Sequence, residues 1–87
     1  MFIVYVLRSA RDGSLYVGYT TDIKKRIAAH NKGSVTSTKI KRPWKLIFIE
    51  SYLSQDDALR REKYLKTTQG KNALKHMLRK TLQLPFT

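Results

Sequence analysis

The chain has 87 residues, enough for one small domain, and its lack of cysteine excludes disulfides, thiolate zinc sites and a cysteine nucleophile. Its 18 Lys and Arg against 6 Asp and Glu give a net charge of +12, and a hydrophobic content of 41% excludes a disordered basic tail. No apolar run approaches the roughly 18 residues of a membrane span, and the first residues lack the pattern of a secretory signal. We therefore expect a cytoplasmic protein with a polyanionic partner. Nucleic acid is the first candidate, and an acidic protein or a membrane surface is the alternative.

The first half of the chain predicts a hairpin followed by a helix. Two runs of β-branched and aromatic residues flank an Asp-Gly turn signal, and a polar, periodic segment follows. Thr20 or Thr21 is the expected N-cap of the helix, with Asp22 in its first turn and Asn31 or Gly33 at its end. The predicted elements are strands at 2–8 and 15–19 and a helix at about 22–31.

The hairpin places two tyrosines on one face of the sheet. With a two-residue turn at 12–13, Tyr16 lies opposite Ser9, about 13 Å along the strands from Tyr5. A longer loop or a bulge would shorten that distance and keep the shared face. Gly18 lies on the same face and weakens the strand, which indicates a close approach of another group to its backbone. The alternative for both tyrosines is an ordinary β-rich core.

The second half of the chain predicts one more strand and two helices. Ser54, with Asp57 three residues later, resembles a capping box, and the helix that Ser54 begins is expected to run to about Lys66, with Gly70 after it. The predicted segments are a basic loop at 33–43, a strand at 44–53, helices at 54–66 and about 70–80, and a tail at 81–87. The order β-β-α-β-α-α predicts an α+β domain with helices packed over a three-stranded sheet.

Helical periodicity places Arg26 and His30 on the buried side of the first helix. At 100° per residue they lie about 60° and 20° from Ile23, the first apolar residue of the stripe, and they are one turn apart. The alternative is structural: Arg26 would extend along the edge of the core, and His30 would be a hydrogen-bonded histidine at the helix end.

The same periodicity places Glu62 inside the apolar stripe of the second helix, between Ala58 and Leu59. A carboxylate in that position must be paired with a cation, protonated or bound to a metal. A structural ion pair with one of the many basic residues is therefore the alternative to a metal ligand.

Taken together, these residues resemble the motifs of the GIY-YIG nuclease superfamily, and the short chain looks most like its small stand-alone YhbQ-like group. The resemblance covers about residues 3–71 and depends on four motifs in order. These are Val4-Tyr5-Val6, Tyr16-Val17-Gly18, the pair Arg26 and His30, and the helical Glu62.

The resemblance implies a three-stranded antiparallel sheet flanked by helices and a divalent-metal nuclease in DNA repair or recombination. A single Mg²⁺ or Mn²⁺ ion is expected, with water and phosphate completing its shell. Nearby cations are expected to lower the pKa of the catalytic tyrosine, whose unperturbed value is about 10. The implied roles are metal binding by Glu62, phosphate stabilisation by Arg26, proton removal by Tyr5 or Tyr16, proton transfer or phosphate binding by His30, and room at the site from Gly18.

Two basic segments are candidates for binding nucleic acid, DNA rather than RNA, and no membrane partner is expected. Trp44 lies within the first segment and suits base stacking, but it is also a candidate for the core. The segments contribute Lys39, Lys41, Arg42, Trp44 and Lys45, and then Arg60, Arg61, Lys63, Lys66 and Lys71. The leading hypothesis is a structure-selective or weakly sequence-selective DNA endonuclease. The alternatives are a nucleic-acid-binding module with little or no catalysis and a basic protein-interaction adaptor.

Overall fold

The computed structural model describes residues 1–85 and confirms the predicted α+β order of elements. The strands and helices are β1 (Phe2–Ser9), β2 (Leu15–Thr20), α1 (Ile23–Lys32), β3 (Trp44–Tyr52), α2 (Gln55–Leu65) and α3 (Thr68–Met77). Short 3-10 turns occur at Lys39–Lys41, within the predicted loop, and at Thr81–Gln83. In the predicted tail, Leu82 packs against the core, whereas Phe86 and Thr87 lie outside the described residues.

The three strands form one antiparallel sheet in the order β2-β1-β3. Residues 4–7 of the central strand have no exposed surface, because helices cover both faces of the sheet at this point. A strand that is buried on both faces is apolar throughout rather than alternating, which accounts for the continuous run at the start of the chain.

The hairpin register differs from the predicted one. Leu7 lies opposite Tyr16, and Tyr5 lies opposite Gly18, because the connection runs over residues 10–14 instead of the two-residue turn. The longer loop moves the pairing by two positions along β2, so Tyr16 keeps its predicted face. The ring centroids of Tyr5 and Tyr16 are 6.4 Å apart, well short of the predicted separation.

Helix α1 begins one residue later than predicted because Asp22 is its N-cap. The Asp22 carboxylate accepts a hydrogen bond from the backbone N–H of Lys25 at 3.1 Å, while the Thr20 hydroxyl accepts from Asp22 N at 3.1 Å. The helix ends at Gly33, one of the two predicted positions, in a left-handed conformation with φ of 87°.

The predicted N-cap of α2 is confirmed, and Gly70 lies beyond the end of that helix, as predicted. Ser54 accepts from the backbone N–H of Asp57, and the helix ends at Leu65. Gly70 lies in the first turn of α3, where its N–H bonds to the N-cap Thr67 at 3.0 Å. A Cβ at position 70 would lie 2.6 Å from the Cα of Leu65, so glycine is needed here for the close contact of two helices.

Each face of the sheet has its own apolar cluster. On one face, α2 and α3 cover the strands, and the buried residues are Val4, Val6, Val17, Ala58, Leu65, Leu74 and Leu78. On the other face, α1 packs on β1, and the buried residues are Tyr5, Leu7 and Trp44. None of the helices within residues 1–85 is long and apolar enough to cross a membrane.

Candidate functional site

The site is built around a hydrogen bond between Tyr5, at the centre of β1, and His30, in the last turn of α1. The Tyr5 hydroxyl lies 2.7 Å from Nε2 of His30, and neither residue has exposed surface. The two rings meet edge-on with centroids 5.8 Å apart. The prediction that His30 faces the sheet is confirmed, and its partner is a strand residue rather than the end of its own helix.

The second ring nitrogen of His30 also has a buried partner. Nδ1 lies 2.7 Å from Oγ1 of Thr38, whose exposed fraction is 1%. Thr38 belongs to the long basic loop, and the Trp44 indole N–H donates to its carbonyl at 2.8 Å. Thr38 is not among the predicted site residues, because one threonine among several polar loop residues carries no periodic signal.

Arg26 completes this group from the preceding turn of α1. Its Nε–H donates to the Tyr5 hydroxyl at 3.4 Å, and its side chain is only partly buried. The hydrogen bond to Tyr5 raises the pKa of the guanidinium, and interactions with Tyr16 act in the same direction. The alternative that Arg26 merely extends along the edge of the core is therefore incomplete, because the Arg26 guanidinium contacts the tyrosines.

The pKa values of Tyr5 and His30 move in opposite directions for one physical reason. Burial disfavours the charged form of each group, so it raises the pKa of Tyr5 and lowers that of His30. The hydrogen bond from Arg26 opposes the rise at Tyr5 but does not overcome it, whereas its charge adds to the lowering at His30. At Tyr5, burial therefore outweighs the lowering of the pKa that Arg26 alone supplies.

Tyr16 lies beside this group and connects it to helix α2. Its ring centroid is 5.1 Å from that of His30 and 6.2 Å from that of Trp44, and the residue is partly exposed. The Lys66 ammonium lies 5.8 Å from the centre of the Tyr16 ring, within the range of a cation–π contact.

Gly18 leaves the space that the Tyr5 side chain occupies. A Cβ at position 18 would lie 2.8 Å from Cε1 of Tyr5 and closer still to its hydroxyl end. The group that approaches this glycine is therefore a side chain of the protein itself, from the neighbouring strand.

Glu62 is less buried than its position in the stripe predicts. Ala58 and Leu65 are fully covered, but Leu59 is exposed, so the apolar stripe is narrower than predicted and Glu62 lies at its edge. The Glu62 side chain is 21% exposed and forms an ion pair with Lys66, Oε2 to Nζ, at 3.3 Å. The same Lys66 ammonium lies over the Tyr16 ring, so one cation joins Glu62 to the tyrosines.

These residues fit a single divalent ion held mostly by water and phosphate. A carboxylate oxygen is the ligand type that Mg²⁺ and Mn²⁺ prefer, and Glu62 is exposed enough for a hydrated ion to reach it. Within residues 1–85 there is no cluster of three or more His, Cys, Asp or Glu that could enclose a metal.

Several of the predicted nucleic-acid-binding residues are engaged within the protein. Trp44 is 6% exposed, so it belongs to the core and has no free ring face for a base. Arg61 binds Glu50 through two hydrogen bonds of 2.9 and 3.2 Å, and both side chains are about three-quarters buried. Trp44 and Arg61 therefore have structural roles and are not free to bind nucleic acid. Arg60, Lys41 and Lys66 form exposed or half-exposed ion pairs with Asp57, Asp12 and Glu62.

Other predicted cations line a groove of about 610 Å³ beside the C-terminal end of α1. The groove is formed by Arg11, Lys32, Gly33, Lys39, Ile40 and Arg42, and no carboxylate lines it. Arg11 is held there by a hydrogen bond of 2.9 Å to the carbonyl of Ile40. Arg11 is absent from the predicted set because it lies in the hairpin connection, which only the fold brings beside the basic loop. Lys32 is absent because it directly precedes that loop, at the end of α1.

The remaining predicted cations lie apart from this groove. Lys71 lines a separate hollow with Lys41 and Lys75, Lys45 borders an apolar hollow beside β3, and Lys63 is exposed on α2. The predicted basic surface is thus divided among several sites, and the groove brings together four cations without an acid in its lining.

Comparisons with known proteins show the family to which the chain is similar. The model of the GIY-YIG catalytic domain matches residues 1–75. A UPF0213 protein of Staphylococcus saprophyticus is 42% identical over 73 residues, covering 83% of this chain and 88% of the relative. A UPF0213 protein of Staphylococcus epidermidis is 41% identical over the same shares. The solution NMR structure of a UPF0213 protein from Bacillus halodurans is 33% identical, with a TM-score of 0.55, and the match covers 88% of this chain and 85% of that one. The chain therefore belongs to the GIY-YIG nuclease family, among its small UPF0213 proteins.

Proposed function

We propose that this protein is a divalent-metal-dependent endonuclease that hydrolyses DNA phosphodiester bonds. The observation that carries the proposal is the hydrogen-bonded group of Arg26, Tyr5 and His30, with Glu62 joined to the neighbouring Tyr16 through Lys66. The group combines a cation for the phosphate, a tyrosine with a proton acceptor behind it and a carboxylate for a metal ion. These are the components that phosphodiester hydrolysis requires.

Arg26 is suited to the charge that develops on the phosphate. Its guanidinium stays protonated, and its partly exposed position allows it to reach a bound strand. Cleavage builds negative charge on the phosphate oxygens, and a fixed cation stabilises that charge in the transition state.

We assign proton removal from the attacking water to Tyr5, because its own proton has an acceptor in Nε2 of His30, 2.7 Å away. Tyr5 is fully covered in the free protein. The assignment therefore requires Arg26 to turn toward the phosphate and leave its place at the hydroxyl to the water. A water proton would then pass to the Tyr5 oxygen as the Tyr5 proton passes to His30.

Tyr16 takes a different role in this proposal. Its ring is partly exposed and contacts both His30 and Lys66. Tyr16 therefore orients the bound DNA strand or the attacking water at the mouth of the site. Comparison of Tyr5→Phe with Tyr16→Phe under single-turnover conditions tests the assignment. The larger loss of rate is expected for Tyr5→Phe, and a larger loss for Tyr16→Phe would reverse the two roles.

Glu62 would hold the Mg²⁺ or Mn²⁺ ion, which when bound supplies Lewis-acid stabilisation of the phosphate oxygens. The carboxylate must first release Lys66, its partner at 3.3 Å. This ion pair is also the observation that favours the second candidate function, a nucleic-acid-binding module with little or no catalysis, because it neutralises the expected metal ligand.

The substrate we propose is DNA with exposed or branched structure. This small domain offers little surface for reading a long sequence, and the four-cation groove suits contact with phosphates rather than with base edges. A role in DNA repair or recombination and a cytoplasmic location follow as part of the same proposal.

The experiment that tests the proposal is cleavage of labelled duplex, nicked, flapped, four-way and single-stranded DNA, and of RNA, in Mg²⁺, Mn²⁺ or chelator. Wild type is compared with Glu62→Ala and with Asp56→Ala, a matched loss of an exposed acid on the same helix. Metal-dependent cutting that only Glu62→Ala abolishes supports the nuclease. Tight, salt-sensitive binding without cutting would favour the binding module.

A further inference from the structure

We propose that Thr38 is a positioning residue that holds His30 in the tautomer protonated on Nδ1, so that Nε2 is free to accept the Tyr5 proton. The proposal rests on the proposed function for its effect on cleavage, but the tautomer itself is a property of the folded protein. Its basis is a buried chain of hydrogen bonds from Arg26 through Tyr5 and His30 to Thr38.

The donor and acceptor of each hydrogen bond in this series follow from Arg26, which can only donate. The Nε–H of Arg26 donates to the Tyr5 oxygen, and a guanidinium has no acceptor to offer in return. Among the described residues, the other hydrogen-bond partner of the Tyr5 hydroxyl is Nε2 of His30. A buried hydroxyl donates its proton where an acceptor is available, so Tyr5 donates to Nε2.

The remaining protons are then determined in turn. A neutral imidazole carries one N–H, so an unprotonated Nε2 requires the proton on Nδ1, which donates to Oγ1 of Thr38. The Thr38 hydroxyl in turn points its own proton at the carbonyl of Val35, 3.4 Å away. Burial and the charge of Arg26 lower the pKa of His30, which keeps the ring neutral as this arrangement requires.

The position of Thr38 is fixed by its neighbours rather than by a regular element. Its carbonyl accepts from the Trp44 indole, and its backbone N–H bonds to the Val35 carbonyl at 3.1 Å. Trp44 is in turn held by Asn31 of α1, whose amide oxygen accepts from Trp44 N at 2.6 Å. The buried Trp44 therefore serves the site indirectly, by holding the hydroxyl that orients His30.

A hydroxyl suits this position better than a carboxylate would. A carboxylate on Nδ1 would stabilise the imidazolium and keep the proton that His30 receives. An uncharged oxygen orients the ring without adding that attraction, so the imidazole stays available as an acceptor.

The tautomer is measured directly by ¹⁵N NMR of the histidine side chains in the wild-type protein, with the exposed His76 as an internal reference. A protonated Nδ1 and an unprotonated Nε2 at His30 are expected. A proton on Nε2 would overturn the proposal, whether or not the protein cuts DNA.

Two variants separate orientation from packing. Thr38→Val keeps the shape and removes the hydroxyl, whereas Thr38→Ser keeps the hydroxyl. We expect Thr38→Val to lose the single tautomer and to slow single-turnover cleavage by about 10- to 100-fold, the range for residues that orient a functional histidine. Thr38→Ser should restore both.

The readouts distinguish the two proposals. If Thr38→Val keeps both the wild-type tautomer and the wild-type rate, Thr38 has no positioning role. If Thr38→Val does not fold, Thr38→Ser and the wild-type spectrum decide the tautomer. If neither wild type nor any variant cuts a substrate, but wild type shows the expected tautomer and Thr38→Val loses it, the proposed function fails and the orientation of His30 by Thr38 stands.

Discussion

Gly18 lies directly opposite Tyr5 in the β1–β2 pair, and the Tyr5 ring fills the space that a side chain at position 18 would need. The hydroxyl of that ring lies 2.7 Å from Nε2 of His30 in α1. The glycine on one strand therefore determines how far the tyrosine on the next strand can extend toward α1.

Gly18→Ala should displace the Tyr5 ring and break its hydrogen bond to His30. Overpacking of this kind costs about 1–3 kcal/mol of unfolding free energy, and the proposed cleavage should fall with it. Chemical denaturation of Gly18→Ala in wild-type and Tyr5→Leu backgrounds measures the coupling. The cost should be smaller in the Tyr5→Leu background, and an equal cost in both would mean that the contact with Tyr5 is not its source.

Lys66→Met should bind Mn²⁺ more tightly than wild type. The variant removes the cation that pairs with Glu62 at 3.3 Å, and a partly exposed pair at this spacing is worth about 0.3–0.5 kcal/mol, or about a twofold change in affinity. Isothermal titration of Mn²⁺ into each protein measures the change. Lys63→Met on the same helix controls for the removed charge, and weaker binding by Lys66→Met than by Lys63→Met would show that Lys66 does not compete with the ion.

Arg11→Ala combined with Lys32→Ala should weaken DNA binding and reduce its dependence on salt. On duplex DNA, removing one cation that contacts a phosphate lowers the log–log slope by about 0.9, so removing both lowers it by about 1.8. Fluorescence anisotropy at several salt concentrations measures the slope. The control is Arg60→Ala combined with Lys63→Ala, which removes the same charge from α2. A larger effect of the control would place the main DNA-binding surface on α2 instead of in the groove.

The stability of the fold should decrease as the pH falls below about 6.5, the ordinary pKa of histidine. Burial and Arg26 lower the pKa of His30 in the folded state, so between that lowered pKa and 6.5 the unfolded chain binds a proton that the folded protein does not. Stability therefore rises with pH in this window. Thermal unfolding between pH 5 and 8 should show this dependence in wild type and in His76→Gln, and a reduced dependence in His30→Gln. An unchanged profile in His30→Gln would assign the effect to other groups.

The local patterns of the chain were enough to predict most of the fold and part of the site. Ser54 caps α2 as predicted, and Arg26 and His30 face the sheet as their spacing of one turn indicates. Caps and helical periodicity depend on residues within one or two turns of each other, so these features follow from short stretches of sequence.

The errors concern contacts between distant segments. The apolar stripe of α2 predicted Glu62 to be enclosed, but the packing of α2 on the sheet leaves Leu59 exposed, so Glu62 lies at the edge of the stripe. Arg61 is a predicted nucleic-acid-binding residue, but the fold brings it to Glu50 of β3. An ion pair of this kind depends on which helix lies over which strand, and the charge pattern of one helix does not contain that information.

From the chain alone, the type and order of the elements and the inward placement of Arg26 and His30 were determined, because hydrophobic periodicity and capping act over a few residues. The Tyr, Arg, His and Glu set was indicated by its resemblance to the GIY-YIG motifs. Only the tertiary structure decided the hairpin register, the burial of Trp44 and the choice of Thr38 as the second partner of His30. The physical reason is that a hydrogen bond in the interior depends on the positions of several separately packed segments. Each of those positions is set by the shape of the whole core rather than by neighbouring residues.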